Sequence, residues 1–391
     1  MEPLFPDENN RVLRDMAVRL IGKAAELGGS VHPITRAGLV DLVRHMNSYY
    51  SNLIEGHNTH PADIERALRS DFAADPATRA LQIESKAHVD VQRLIESRLA
   101  QAHVDICAPA FLCWIHKELY DRFPDEFRVV RTRAGREERV IPGQLRTVEV
   151  EVGRHLAPAA SGLEKILARF HERYRPETLN PLDAIIAAAA SHHRLAWIHP
   201  FLDGNGRVVR LFTHAYLARL EISGHGLWTV TRGLARHRND YFAALARADE
   251  TRRNDLDGRG NLSQEGLVAF CTFFMETALD QIAFMKSLLD LDEFQKRITL
   301  YAERLSTTER YPVEIGYVLR DCLLCGEISR GNAFRLLGKP ERTARRIVAR
   351  LLAAGLVTST GHRGPLRLGF SPDVVGYYFP RLYPEGVASV P

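Results

Sequence analysis

His199-Pro-Phe-Leu-Asp203-Gly-Asn-Gly-Arg207-Val-Val-Arg210 is the stretch on which the reading of this chain turns. Before it, Pro181 to Trp197 has the pattern of an apolar helix, and after it Gly206 to Leu220 predicts another. The joint between them, Asp203-Gly204-Asn205-Gly206-Arg207, is a glycine-rich loop leading into a helix N-terminus. Such a loop aims successive backbone N–H groups at one point, and the helix dipole adds positive potential there. Gly204 and Gly206 let an oxyanion approach the backbone with no side chain in the way. The expected result is an anion hole suited to a diphosphate.

The flanking residues supply the rest of a transfer site. Asp203 is a hard oxygen ligand of the kind magnesium takes together with substrate phosphates. Arg207 and Arg210, three apart on the opening turn, can lie on one face toward the same phosphates. His199 stands where it can take a proton from an attacking hydroxyl. Phe201 is expected to pack beneath the loop, and His192 and His193 to serve in packing. Singly, each element reads as an ordinary turn, a core histidine or a solvated arginine; in combination they point to phosphate chemistry.

The twelve residues match the Fic-family motif, H-P-F-x-D/E-G-N-G-R-x-x-R, at every specified position. The chain resembles bacterial Fic proteins from the Ser51 region to its C-terminal end. That resemblance implies a mainly α fold, with a Fic-type helical core and a β-hairpin flap, followed by a C-terminal winged-helix domain. It implies a protein adenylyltransferase that moves AMP from ATP, with Mg2+, to a Ser, Thr or Tyr hydroxyl of a target protein or of itself. His199 would be the general base and Asp203 would hold Mg2+. Gly204, Asn205 and Gly206 would cradle the α- and β-phosphates, and Arg207 and Arg210 would contact the β- and γ-phosphates. Asn239 and Tyr241 fall where relatives place an Asn and a Tyr around adenosine; core packing is the other reading. Kinase-type relatives carry lysine in place of Gly206 and lack the last arginine, so this chain fits adenylyl rather than phosphoryl transfer.

Farther out, Thr35 to Glu55 spaces Leu39, Leu42, Val43, Met46, Tyr49, Tyr50 and Leu53 as one buried helical face, ended by Gly56. Ser51 and Glu55 share a face four residues apart, and Glu55 sits poorly with the helix dipole unless a cation compensates it. The segment resembles the family's inhibitory motif, S/T-x-x-x-E-G/N. In that resemblance Glu55 opposes Arg210 where the γ-phosphate should be gripped; in some relatives the same glutamate supports AMP removal.

Arg131 to Leu156, with Pro142-Gly143 and the alternating Val148, Val150 and Val152, predicts a hairpin placed as the family's flap is, to hold an extended target segment. Gly266 to Phe294 predicts one long helix. Glu327 to Leu336 and Arg342 to Ala354 read as two helices around Gly338-Lys-Pro340, with strands at Leu356–Thr358 and Leu366–Phe370, the winged-helix order. Three units are therefore expected: 1–100 helical with the inhibitory helix, 101–295 catalytic, and 300–391 winged helix. Arg342, Arg345, Arg346 and Arg350, with Arg363 in the wing, fit either DNA or a docking or homodimer surface. A DNA-binding regulator with a nucleotide-sensing core is the alternative function.

Composition sets the outer bounds. The 391 residues carry 45% hydrophobic and 26% charged residues, with a net charge of +4. That charge is too mild to imply wholesale nucleic-acid or membrane binding. Five cysteines, an odd number, suggest no disulfide framework, and Cys322-x-x-Cys325 reads as a buried structural pair. The N-terminus lacks a signal-peptide pattern, and no apolar run in the sequence looks long enough to cross a bilayer, so no membrane partner and a cytoplasmic location are expected. Asp255 to Asn261 faintly resembles a calcium loop but reads better as a turn capping the next helix.

Overall fold

The computed structural model describes the chain except residues 7–9, 102, 132–134, 136, 153–154 and 385–391. Four helices come first: α1 (Arg11–Gly28), α2 (Pro33–Ile54), α3 (Pro61–Leu68) and α4 (Pro76–Gln101). After α5 (Pro109–Tyr120) come the short strands β1 (Val129–Arg131), β2 (Glu137–Arg139), β3 (Glu151–Val152) and β4 (His155–Leu156). The helical core resumes with α6 (Leu163–Tyr174), α7 (Pro181–Ile198) and α8 (Asn205–Arg219). It is completed by α9 (Thr231–Arg236), α10 (Arg238–Asp249) and α11 (Gln264–Leu288).

Helix α7 is the axis of this core. The Asn180 side chain caps its start by accepting from the Asp183 N–H at 3.0 Å, and Pro181 occupies the first turn, where its missing N–H is not needed. The run Ala187 to Ala190 is enclosed and lets α1, α6, α8 and α11 pack close around it. Helix α11 is long and apolar enough to cross a membrane by length and composition, contrary to the expectation from the sequence. Here it is a core helix, with Leu267, Phe270, Phe274 and Met275 buried against α1, α7, α9 and α10.

Helix α2 is a shared wall. Its Leu39, Met46 and Tyr49 face is buried as the spacing predicts. One side packs on α4 and α9, and the other meets the C-terminal part of the chain. Thr35 Oγ1 donates to the Leu323 carbonyl at 3.3 Å, and Tyr50 Oη donates to the Leu382 carbonyl at 2.9 Å. The Tyr49 ring stands edge-on to Tyr383 at 5.3 Å.

The predicted hairpin over Arg131 to Leu156 is two hairpins. Strand β1 pairs with β2, Val129 opposite Arg139, and β3 pairs with β4, Glu151 opposite Leu156. The physical reason is Gly143, whose φ of 78° turns the chain while its N–H donates to His116 Nδ1 on α5 at 2.8 Å. That anchor interrupts strand pairing midway. Residues 132–134, 136, 153 and 154 of the expected flap lie outside the described residues.

The expected Gly266–Phe294 helix also divides. It stops after Leu288, and Asp290 caps a new helix, α12 (Leu291–Glu309), by accepting from the Glu293 N–H at 3.1 Å. Helix α12 packs with the C-terminal elements α13 (Ile315–Cys325) and α16 (Pro372–Tyr378). The intended boundary inside residues 295–300 thus cuts a continuous helix. Between α13 and α16 lie β5 (Glu327–Ile328), α14 (Arg330–Leu337), α15 (Glu341–Ala353), β6 (Val357–Thr358) and β7 (Leu366–Leu368). Glu327 and Ile328, expected as helix, form a strand because they pair with Arg367 and Leu366 in a sheet of order β5-β7-β6. Cys322 is buried, whereas Cys325 is exposed, so the expected buried pair is half right.

Candidate active site

The loop from His199 to Gly204 joins α7 to α8, and its shape is set from within. His199 ends α7 in the left-handed region, φ 49° and ψ 60°, uncommon for a residue with a side chain. Phe201 is fully buried, and its ring stacks on His116 at 4.1 Å with planes 5° apart. Asn205 is turned inward: its Oδ1 accepts from the Phe201 N–H at 2.9 Å and its Nδ2 donates to the Phe201 carbonyl at 2.8 Å. The Asn205 side chain therefore closes the loop, because a buried amide must satisfy both its ends. What remains for an anion is backbone. No side chain caps α8, whose N-cap is Gly204 at φ 75°, so the first-turn N–H groups face the site.

Asp203 stands beside that opening, half exposed. Tyr120 Oη donates to its Oδ2 at 2.7 Å, and the Tyr120 ring fills the space where a Cβ on Gly204 would stand. Burial would raise the Asp203 carboxyl, but Arg207, the Tyr120 hydroxyl and the Gly204 N–H outweigh it and hold the group below its ordinary range. Asp203 is thus a carboxylate oriented on one edge and free to take a cation on the other.

The two arginines sit near this opening, but each turns to its own carboxylate. Arg210 is ion-paired with Glu55 through Nη2, and it donates through Nε to Ser51 Oγ at 2.9 Å and through Nη2 to the Ser51 carbonyl at 3.2 Å. Glu55 is the C-cap of α2. Its Oε1 lies so close to Gly206 that a Cβ there would collide with it. Burial pushes the Glu55 carboxyl up, yet Arg210 and then Arg207 outweigh that and hold it below the usual range. Arg207 is ion-paired with Glu84 of α4, approaches Tyr120 Oη at 3.4 Å and lies 3.8 Å from Asp203. Its Nε is buried without a partner. Glu84 in turn faces His57 Nδ1 at 2.7 Å. The expected meeting of Glu55 with Arg210 is present, and Arg207, also near Glu55, is engaged by Glu84.

His199 lies on the opposite flank. Burial, with His155 and Arg146 nearby, pushes its imidazole down to about 4, so it is neutral and able to accept a proton at neutral pH. Its carbonyl accepts from Arg146 Nε at 2.8 Å, and the Pro200 carbonyl accepts from the Arg146 N–H at 2.9 Å. His155 reaches the Trp197 carbonyl at 2.8 Å and Asp249 at 3.3 Å.

Tyr241 is buried, its hydroxyl meeting His192 Nε2 at 2.8 Å, while His192 Nδ1 meets Thr213 Oγ1 of α8 at 2.7 Å. The Tyr241 ring is enclosed among core side chains. Asn239 is exposed on the first turn of α10. His193 is buried against Asp249, a packing role as expected. Asp257 caps the start of α11 by accepting from Ser263 Oγ and the Glu265 N–H. Among the described residues no group of three or more His, Cys, Asp or Glu is placed to hold a metal ion by itself. Sequence reasoning missed Tyr120, His116, Glu84 and Arg146.

Residues 106–217 match the Fic/DOC family. The chain is 31% identical over 175 residues to the protein adenylyltransferase Fic of Nematostella vectensis, which covers 44% of this chain and 36% of that protein. To the protein adenylyltransferase Fic of Drosophila grimshawi it is 35% identical over 171 residues, 44% of this chain and 32% of that protein. The chain thus spans about a third of the length of these relatives. Among solved structures, Fic-1 (residues 134–508) of C. elegans superposes with a TM-score of 0.53 at 18% identity, over 72% of this chain and 74% of that one. A Fic-domain signaling protein of Bacteroides thetaiotaomicron gives 0.50 at 17% identity, over 69% and 97%. The chain has the Fic fold.

Proposed function

On this Fic/DOC-family core at residues 106–217, we propose that the chain is a protein adenylyltransferase, held off by Glu55. The observation that carries this reading is the placement of a neutral imidazole, a half-free carboxylate and an uncapped helix N-terminus around one opening, with Glu55 lying where an anion would sit. ATP is the substrate that fits. Its phosphates match the first-turn N–H groups of α8, the orphaned Arg207 Nε, and the Arg210 guanidinium once Glu55 withdraws. Asp203 would hold Mg2+, which supplies charge neutralisation at the departing diphosphate.

His199 takes the proton of a Ser, Thr or Tyr hydroxyl on a target protein. The hydroxyl oxygen bonds to the α-phosphorus, the bond from that phosphorus to the bridging oxygen breaks, and pyrophosphate leaves. AMP remains on the target. The segment from Val129 to Pro158 acts as the flap that presents the target strand. Glu55 occupies Arg210, so nucleotide that binds beside it lacks the grip needed for in-line attack. A cytosolic site of action suits five unpaired thiols. Incubating Glu55→Gly with Mg-ATP tests the reaction: mass spectrometry should find an adduct of about 329 Da, AMP less water, and a mass unchanged after prolonged incubation would remove the assignment.

A second reading concerns the C-terminal unit, which we take as a winged helix. Arg342, Arg345 and Arg346 of α15 are exposed, opposite the buried Ala344, Ile347, Val348 and Leu351, and Arg363 is exposed between β6 and β7. Arg350 is drawn off this face, donating to the Glu309 carbonyl at 2.9 Å and lying over Tyr311 at 3.9 Å. This stripe suits a DNA groove. Gel shifts with wild type and an Arg342/Arg346→Glu pair decide it: equal retardation, or none in either, counts against DNA.

A further inference from the structure

We infer that Arg146 is a positioning residue that couples the target-holding flap to His199. The inference rests on reading His199 as the base and residues 129–158 as the flap.

The Arg146 side chain is fully enclosed, and its guanidinium is shared among three backbone carbonyls. Nε donates to His199, Nη1 donates to Val148 at 3.0 Å, and Nη2 donates to Pro158. Its own N–H donates to Pro200 at 2.9 Å. Exposed Glu149 makes one ion pair with Nη1 at 3.7 Å, and the remaining contacts of the cation are to neutral carbonyls. Taking a guanidinium out of water for that purpose is costly. Only a planar fork reaches carbonyls on both sides at once. Two of those carbonyls, Val148 and Pro158, bracket the β3–β4 hairpin; the third belongs to the residue carrying the base.

The site of attachment matters. His199 has a left-handed backbone, and the orientation of its peptide plane decides where the imidazole points. The bond from Arg146 fixes that plane. A target strand that moves the 148–158 segment must therefore pull on the His199 carbonyl through a rigid side chain. His155 ties the same hairpin to Trp197 and Asp249, on regular helix rather than on the loop. It offers a comparison: losing it loosens the hairpin and removes one neighbouring charge from His199, but leaves the Arg146 bond to the His199 carbonyl intact. The Arg146 charge also helps keep the imidazole neutral, so its removal should be visible in a pH profile.

The test uses the full chain carrying Glu55→Gly, combined in turn with Arg146→Gln, Arg146→Lys, His155→Gln and His199→Ala. AMP transfer from radiolabelled Mg-ATP is followed against pH, with and without added guanidinium ion. Arg146→Gln should lower kcat at least about tenfold and move the acid limb of the profile upward. Free guanidinium should restore part of the rate, and His155→Gln should raise KM for the target with little change in kcat. Hydrogen exchange on Arg146→Lys reads the link without reference to activity. Protection should fall together in residues 145–158 and 199–204, and remain in α7. Parental kcat and pH profile in both Arg146 variants, with His199→Ala inactive, would overturn the inference and leave the function standing. Should even the Glu55→Gly parent transfer nothing, the functional reading fails, and the exchange data alone decide whether flap and loop are linked through Arg146.

Discussion

The two flanks of the 199–204 loop are held by opposite kinds of chemistry. On one, Arg207 and Arg210 are paired with the carboxylates of Glu84 and Glu55. On the other, His199 and Pro200 are held through neutral backbone groups by Arg146, and Phe201 is clamped by Asn205. A carboxylate can be replaced by a phosphate, because both present oxyanions to the same donors. A carbonyl held by a buried guanidinium has no such competitor. One flank is therefore exchangeable and the other is scaffold, and the base is mounted on the scaffold.

This contrast can be broken at several points. The largest effect is expected from His199→Ala in the Glu55→Gly background, which should cost roughly 10²–10⁴-fold in AMP transfer, read as label incorporation per minute. In the same background the pH profile should be flat near neutrality. The rate should fall as pH drops through about 4, where the imidazole takes up its proton and ceases to act as base. Next in size, Glu55→Gly alone should raise auto-modification about 10- to 100-fold over wild type, since a charge-assisted pair of about 1.5–3 kcal/mol no longer competes for Arg210. Equal labelling of the two proteins would show that the Glu55–Arg210 pair is not a brake.

Glu84→Gln sharpens the same contrast through stability. It leaves the buried Arg207 guanidinium without its paired carboxylate, at a cost of about 3–5 kcal/mol in urea unfolding. Mg-ATP should recover more of that loss for Glu84→Gln than for Asn205→Ala, because nucleotide replaces an anion and cannot replace a loop clamp. The smallest effect lies at His155, whose imidazole is raised: burial lowers it, but Asp249 and the Trp197 carbonyl outweigh that. A raised histidine contributes stability that is complete below its unfolded pKa and is lost as pH rises through the folded value. The stability difference between wild type and His155→Gln should accordingly shrink as pH is taken upward from about 6.5, followed by thermal melts.

The exchangeable flank was largely legible in the sequence and the scaffold was not. Glu55 and Arg210 each lie in a contiguous motif, and Ser51 stands one helical turn before Glu55, so the resemblance to the family's two motifs was enough to imply their meeting. Arg146, His116, Tyr120 and Glu84 act across long stretches of chain on partners they do not resemble in pattern, and a lone arginine in a valine-rich segment looks like a solvated one. The inward turn of Asn205 could have been anticipated, because its side chain has a carbonyl and an amide to satisfy once Phe201 is buried beneath the loop. The division of the long helix near residue 289 had a readable sign in Asp290, two residues ahead of Asp292-Glu293. Strand β5 had none, since two residues carry no periodicity. For Tyr241 the sequence left adenosine contact and core packing both open, because the His192 partner of its hydroxyl is invisible until α7 and α10 are packed.

Helix α2 begins with Thr35 anchored at Leu323, meets Leu382 through Tyr50, and ends at Glu55. A helix of this length behaves as a stiff rod. Beyond a change of the Glu55 rotamer, the helix can carry its acidic tip off Arg210 in two ways: the whole rod slides, shearing the tyrosine pair away from residues 382 and 383, or the last turn frays around Gly56, already at φ 91°. Sliding sends the signal from one extremity of the molecule to the other; fraying keeps it private to the catalytic mouth.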